Sequence, residues 1–161
     1  MLPALSQRVT AMVMLFTPLP RPVVALGLAG ILPQAACLFI AITAPAERWF
    51  VLAAGCCYAA VILSFLGGMW WMAGLLTGRT STDFYAIAVM PSLIGWAALL
   101  PWCFGWRWPG PALLVLGACL LASPLVDRWM AARLNLPPSW LRLRVAMASG
   151  LGVSTALLGL V

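Results

Sequence analysis

The residues best suited to specific chemistry are Asp127-Arg128 and, beyond a short loop, Arg142-Leu143-Arg144. A carboxylate beside guanidinium groups can form a hydrogen-bonded ion pair, and arginine offers a two-pronged geometry that lysine cannot copy. The apolar runs flanking this loop would form antiparallel neighbouring helices. Asp127 can then pair with Arg142 or Arg144, and the pair is expected at a solvated membrane surface as a structural clamp. Arg128, Arg133, Arg142 and Arg144 exceed what Asp127 can neutralise. The same loop is therefore a candidate docking patch for an acidic partner or for anionic lipid head groups.

Other chemistry is scarce. The chain has no histidine and three acidic residues. Glu47, Asp83 and Asp127 fall at the ends of apolar runs, where carboxylates are solvated. A proton relay would need ionisable groups inside the bilayer, and none is expected there. Zinc and haem sites call for histidine or clustered cysteine. Cys37, Cys56, Cys57, Cys103 and Cys119 are scattered and read as small buried apolar residues. A serine or cysteine nucleophile would lack an imidazole base. No catalytic residue, metal or cofactor is expected, and the protein reads as a non-enzyme.

One intramembrane polar site is a weaker candidate. Pro33, Pro91 and Pro124 interrupt apolar runs and free the carbonyls of Ala29, Ile87 and Leu120. Gln34 follows Pro33 and Ser92 follows Pro91, so each can repair its own kink. Together with Trp96 they can also form a small polar pocket. Trp96 alone reads as core packing, with ligand stacking as the alternative.

The elements that carry these residues are long apolar helices. The chain is 65% hydrophobic and only 7% charged, which marks an integral membrane protein. The apolar runs are continuous and lack the polar alternation of barrel strands. The fold class is all-α: a bundle of about five transmembrane helices over residues 22–43, 50–77, 84–104, 111–126 and 145–161. Residues 1–20 form an N-terminal extension that reads as an interfacial helix rather than a cleaved signal peptide. Residues 21–161 form the transmembrane domain.

With five spans, seven of the nine arginines fall on the N-terminal side, and Arg48 and Arg107 on the other. The positive-inside rule then puts the N-terminus in the cytoplasm and the C-terminus in the periplasm. The net charge of +6 is explained by this anchoring, and no nucleic-acid partner is expected. The tryptophans other than Trp96 read as interfacial belts. Trp70 and Trp71 reach the cytoplasmic interface about 30 Å along the second helix.

Two helices carry rows of small residues, which let helix backbones approach closely. Cys56, Ala60, Ser64 and Gly68 recur every four residues on the second span. Ala146, Gly150 and Ser154 do so on the fifth, with Ala148, Gly152 and Ala156 on another face. A helix with two such faces is expected to have two neighbours, one of them in another protein.

Several stretches in order carry a resemblance. They are Gly27-Leu-Ala-Gly-Ile-Leu-Pro33, Tyr58-Ala-Ala-Val-Ile-Leu-Ser-Phe-Leu-Gly-Gly-Met-Trp-Trp71, Met90-Pro-Ser-Leu-Ile-Gly-Trp96, Asp127-Arg128 and Trp140-Leu-Arg-Leu-Arg144. From about residue 21 to its end the chain resembles an uncharacterised family of small polytopic membrane proteins of proteobacteria. That family includes the mitochondrial transmembrane protein 69 group. The family pattern carries His or Arg where this chain has Trp70, so a histidine-dependent role does not carry over. The resemblance implies a bundle of about five helices in a membrane, and no activity.

Two functions remain. The first is a non-catalytic accessory subunit or assembly factor of a larger energy-transducing complex, respiratory or photosynthetic, in the bacterial inner membrane. Its partners would be membrane lipids and other membrane protein subunits. The second is an oligomeric protein that binds or transports a small molecule, lipid or quinone.

Overall fold

A computed structural model describes residues 19–106, 108–134 and 137–161, with Leu134 described by its backbone only. The interfacial helix expected within residues 1–20, together with Arg8 and Arg107, lies outside the described residues, apart from Leu19 and Pro20. The described residues form six α-helices in order: α1 (Arg21–Ala29), α2 (Leu32–Thr43), α3 (Arg48–Leu76), α4 (Thr82–Cys103), α5 (Gly110–Leu134) and α6 (Pro138–Leu158). A 3-10 turn, Pro45–Glu47, joins α2 to α3. Among the described residues five segments are long and apolar enough to cross a membrane, and α1 and α2 together make the first.

The first span breaks at Gly30-Ile31, just before Pro33, which sits in the first turn of α2. Proline is tolerated there because those N–H groups lack helical partners anyway. The Tyr58 hydroxyl, from α3, donates to the Gly30 carbonyl at the break. Pro124 lies inside α5, and the Ser123 hydroxyl donates to the freed Leu120 carbonyl at 2.8 Å. Both α3 and α4 end in paired backbone bonds around a left-handed glycine, Gly78 (φ 65°) and Gly105 (φ 67°). These bonds satisfy terminal carbonyls that water would otherwise have to reach.

The last two spans differ from expectation. α5 does not stop at Val126 but continues through Asp127 and Arg128 to Leu134. α6 starts at Pro138, ahead of Arg142 and Arg144, and ends at Leu158. An apolar count stops at charges, whereas a helix does not when those charges have partners.

α3 is the hub. It packs against α2, α4, α5 and α6, while α4 lies along it and α5 pairs with α6. α1 and α2 lean on α6. α1 has no buried residue, so the first span forms the loose outer wall of the bundle.

Small residues make the close contacts, but not all in the expected rows. On α3, Cys56 and Ala60 are buried and Ser64 is half-buried, whereas Gly68 is exposed with nothing within 4 Å. The neighbouring Gly67 instead meets the Ala88 carbonyl and Pro91 of α4. Gly74 faces Phe84, and Ala60 backs onto Gly95. Helical geometry explains the shift. Each step of four residues turns about 40°, so Gly68 lies about 120° round from Cys56. A step of seven drifts only about 20°, which keeps Ala60, Gly67 and Gly74 on one face.

On α6 the two small faces are both used. Gly150 meets Ile31 of the first span, and Gly152 meets Leu121 of α5. Ala148 and Ser154 are buried, Ala156 is half-buried and Ala146 is exposed. Both faces thus meet other parts of this chain, while Ala146 at the start of one row stays uncovered.

Candidate functional site

Asp127 sits on the inner face of α5, where α3 and α6 converge. It is fully buried, with 0% of its surface exposed, and is not the solvated surface carboxylate expected. The Arg144 guanidinium donates from Nε to Asp127 Oδ2 at 2.9 Å. The Trp70 indole N–H donates to Oδ1 at 2.8 Å. Of the two arginines expected as partners, the structure selects Arg144, because Arg142 points outward.

Trp70 is therefore not a belt residue. It is buried on the α3 face toward α5, while Trp71 faces out and packs edge-on against Tyr85 at 4.8 Å. Position along α3 placed both rings at one depth, but neighbouring residues on a helix point about 100° apart. A buried carboxylate is strongly disfavoured unless paired and hydrogen-bonded. Here one ion pair and one indole donor meet that demand from two other helices.

The pairing engages Nε and leaves a buried donor unmet. Arg144 Nη2 is buried and has no hydrogen-bond partner among the described residues. Its guanidinium lies 5.9 Å from the Trp140 ring. Beside it is a cavity of about 300 Å³ bounded by all the elements that meet there. Leu26, Gly27 and Gly30 come from the first span, Ile62, Phe65 and Leu66 from α3, Leu120 and Ser123 from α5. Met147, Ala148 and Leu151 complete the α6 wall with Arg144. Leu26 and Phe65 are both largely exposed, so the cavity borders the outer surface of α1 and α3. Arg144 lies about 9 Å along α6 from Pro138, near one end of the span.

A second, smaller cavity of about 200 Å³ lies on the other side of Ser123 and includes Trp70, Pro91 and Cys119 in its wall. Ser123 borders both cavities.

The expected docking patch is divided. Asp127 and Arg144 are withdrawn into the bundle, while Arg128 and Arg142 stay exposed. Arg133 is exposed but folds back onto its own helix, 3.9 Å over the Trp129 ring, and donates to the Trp129 carbonyl at 3.2 Å. Arg79, from the α3–α4 loop, donates to the Arg133 carbonyl and ties that loop to the end of α5.

The expected polar pocket is not assembled. Ser92 bonds Ser64 at 2.9 Å, joining α3 and α4. Gln34 is fully buried near Gly55, and both atoms of its amide lack partners among the described residues. Trp96 is 62% exposed on the outer face of α4, so it is neither core packing nor part of a pocket with the other two. Gln34 lies on a different helix from Ser92 and Trp96, and the turn of about 40° from Ser92 to Trp96 carries the ring outward, which proximity to a proline cannot reveal. The missed residue was Trp70. The Arg144 cavity also escaped sequence reading, since three separate helices and the broken first span build it.

The model of a family described as a protein of unknown function, DUF3429, matches residues 19–160. The chain belongs to that family. No curated protein and no solved structure matches it.

Proposed function

We propose that this is a non-catalytic, multi-pass membrane protein that holds a membrane-soluble small molecule in the cavity beside Arg144. One observation carries the reading: Arg144, whose Nη2 is buried without a hydrogen-bond partner among the described residues, lines a largely apolar space of about 300 Å³. An unmet buried donor costs about 1–3 kcal/mol, and more when charged. The volume sits at the lower end of ordinary ligand pockets, which pair apolar walls with a few polar anchors. A guest with one hydrogen-bond acceptor and an apolar body meets both conditions.

Purification in mild detergent followed by mass spectrometry of the extract tests this. A stoichiometric amphiphile is expected, and Ala148→Leu, which fills the cavity from its α6 wall, should displace it. A protein that carries no such molecule, and that no added neutral amphiphile stabilises against heat, would refute the reading.

A second reading, the accessory subunit or assembly factor of an energy-transducing inner-membrane complex, draws on a different surface. Gly68 leaves an open notch beside the exposed Phe65 and Met72, where a foreign helix can lie close. Gly68→Leu should then abolish co-purification of a stoichiometric partner while leaving the bundle stable.

For either reading we place the N-terminus in the cytoplasm and the C-terminus in the periplasm of a bacterial inner membrane. The resemblance to proteobacterial proteins and the mitochondrial transmembrane protein 69 group supports the location. Removing the buried Arg144 from the seven N-side arginines leaves six against two, so the charge bias persists. A reporter fused after Val161 should read as periplasmic, and a cytoplasmic signal would reverse the assignment.

A further inference from the structure

We infer that the Arg144 cavity selects an electrically neutral carbonyl compound over an anion, and that Asp127 sets this preference. The inference rests on the binding reading above. An arginine in a pocket usually suggests a carboxylate or phosphate guest. Here the guanidinium already has its counter-ion. Asp127 binds Nε at 2.9 Å and is held by Trp70, so the three side chains together carry no net charge. Among the described residues, no other charged side chain borders the cavity.

The charge balance then decides between guests. A neutral acceptor takes the free Nη2 N–H and leaves the buried cluster at zero. An anion leaves the cluster at minus one, inside apolar walls, with the Asp127 carboxylate just beyond the guanidinium. Repulsion from that carboxylate offsets much of the attraction to Arg144, and little remains against the loss of the anion's hydration. A neutral carbonyl loses far less hydration and still gains a charge-assisted hydrogen bond.

The cavity's position fits the same chemistry. Arg144 lies near one end of its span, and the apolar walls of Leu66, Leu120 and Leu151 run on from it. Leu26 and Phe65, at the cavity's edge, are exposed apolar side chains of spanning helices and would meet lipid in a membrane. A polar carbonyl head at Arg144, with its apolar body along these walls, can enter from the membrane without crossing water. Two sources supply such a carbonyl: the ester of a glycerolipid, or the ring ketone of a quinone-like molecule.

The test uses the whole protein in mild detergent and reads thermal stabilisation. Bound ligand raises the midpoint according to its concentration over its dissociation constant. The probes are an alkyl methyl ester and an alkyl sulfonate of equal chain length, the second ionised at any working pH. The ester should stabilise at a concentration lower by about tenfold or more, the separation that one net hydrogen bond with its desolvation supplies. Asp127→Asn leaves the guanidinium unbalanced and should turn the preference toward the sulfonate. The wild-type comparison stands even if that variant does not fold.

Stabilisation by sulfonate at equal or lower concentration than ester overturns the neutral-guest inference and leaves the binding reading intact. Stabilisation by neither probe, nor by a short-tailed benzoquinone, removes the binding reading itself. Benzoquinone acting below the ester assigns a ring ketone, and the reverse assigns a lipid ester. Either order supports the inference only when the sulfonate trails both.

Discussion

The α3–α4 pair closes on small residues alone, whereas the α5–α6 pair closes on small residues and holds a buried ion pair. Along α3–α4, Gly67 meets the Ala88 carbonyl, Gly95 meets that of Ala60, and Ser64 bonds Ser92. Every polar group named there has a partner within the pair. Along α5–α6, Gly117 meets Ala156 and Gly152 meets Leu121, and then Asp127 and Arg144 add charge. That charge needs Trp70 from a third helix and still leaves Nη2 unpaired. The first interface is complete by itself. The second leaves a buried donor without a partner among the described residues, and that difference motivates the binding proposal.

The strongest way to break the contrast is Asp127→Ala. It strands a buried guanidinium and should destabilise the bundle by about 3–5 kcal/mol, measured by denaturant or thermal unfolding in detergent. Replacing both partners, Asp127→Leu with Arg144→Met, should be near neutral in stability and should remove ligand stabilisation. A double variant as unstable as the single would mean that the pair is structural.

Trp70→Phe removes the indole donor but keeps an apolar ring. It should cost about 1.5–3 kcal/mol, as expected for a hydrogen bond to a charged group. A negligible loss would show that Arg144 alone satisfies Asp127.

The small-residue contacts come next. Gly67→Leu should destabilise by about 1–3 kcal/mol through overpacking against α4. Gly68→Leu, one residue on, should change stability by no more than about 0.5 kcal/mol, because its Cβ meets open space. Equal effects at the two glycines would contradict the packing face described for α3.

The smallest effect belongs to Ser64→Ala. The Ser64–Ser92 bond is a neutral interhelical contact, and its loss should cost about 0.6 kcal/mol. A loss several-fold larger would make α3–α4 as dependent on polar groups as α5–α6.

Much of the frame was legible before any coordinates. Long apolar runs dictate helices because no other open backbone satisfies its hydrogen bonds in lipid. Hence five spans were countable from residue types, whereas the charges hid how far α5 and α6 extend. The pairing of Asp127 with Arg144 was one of two alternatives, since α5 and α6 had to be antiparallel neighbours. On α6, Gly150 and Gly152 each meet a close neighbour, while Ala146 of the first row does not. The row on α3 failed at Gly68 because four-residue spacing winds around a helix over several turns.

The sequence alone therefore determined composition, spans and the set of candidate charges, since each depends on local residue type and spacing. The tertiary structure decided which charges leave water and which donor stays unmet. Trp70 and Asp127 lie 57 residues apart, and Asp127 and Arg144 lie 17 apart. Gly30 at the break in the first span lines the same cavity as Arg144. Burial, partner choice and empty space depend on several helices at once, and no single segment's periodicity encodes the rotation at which its neighbours dock.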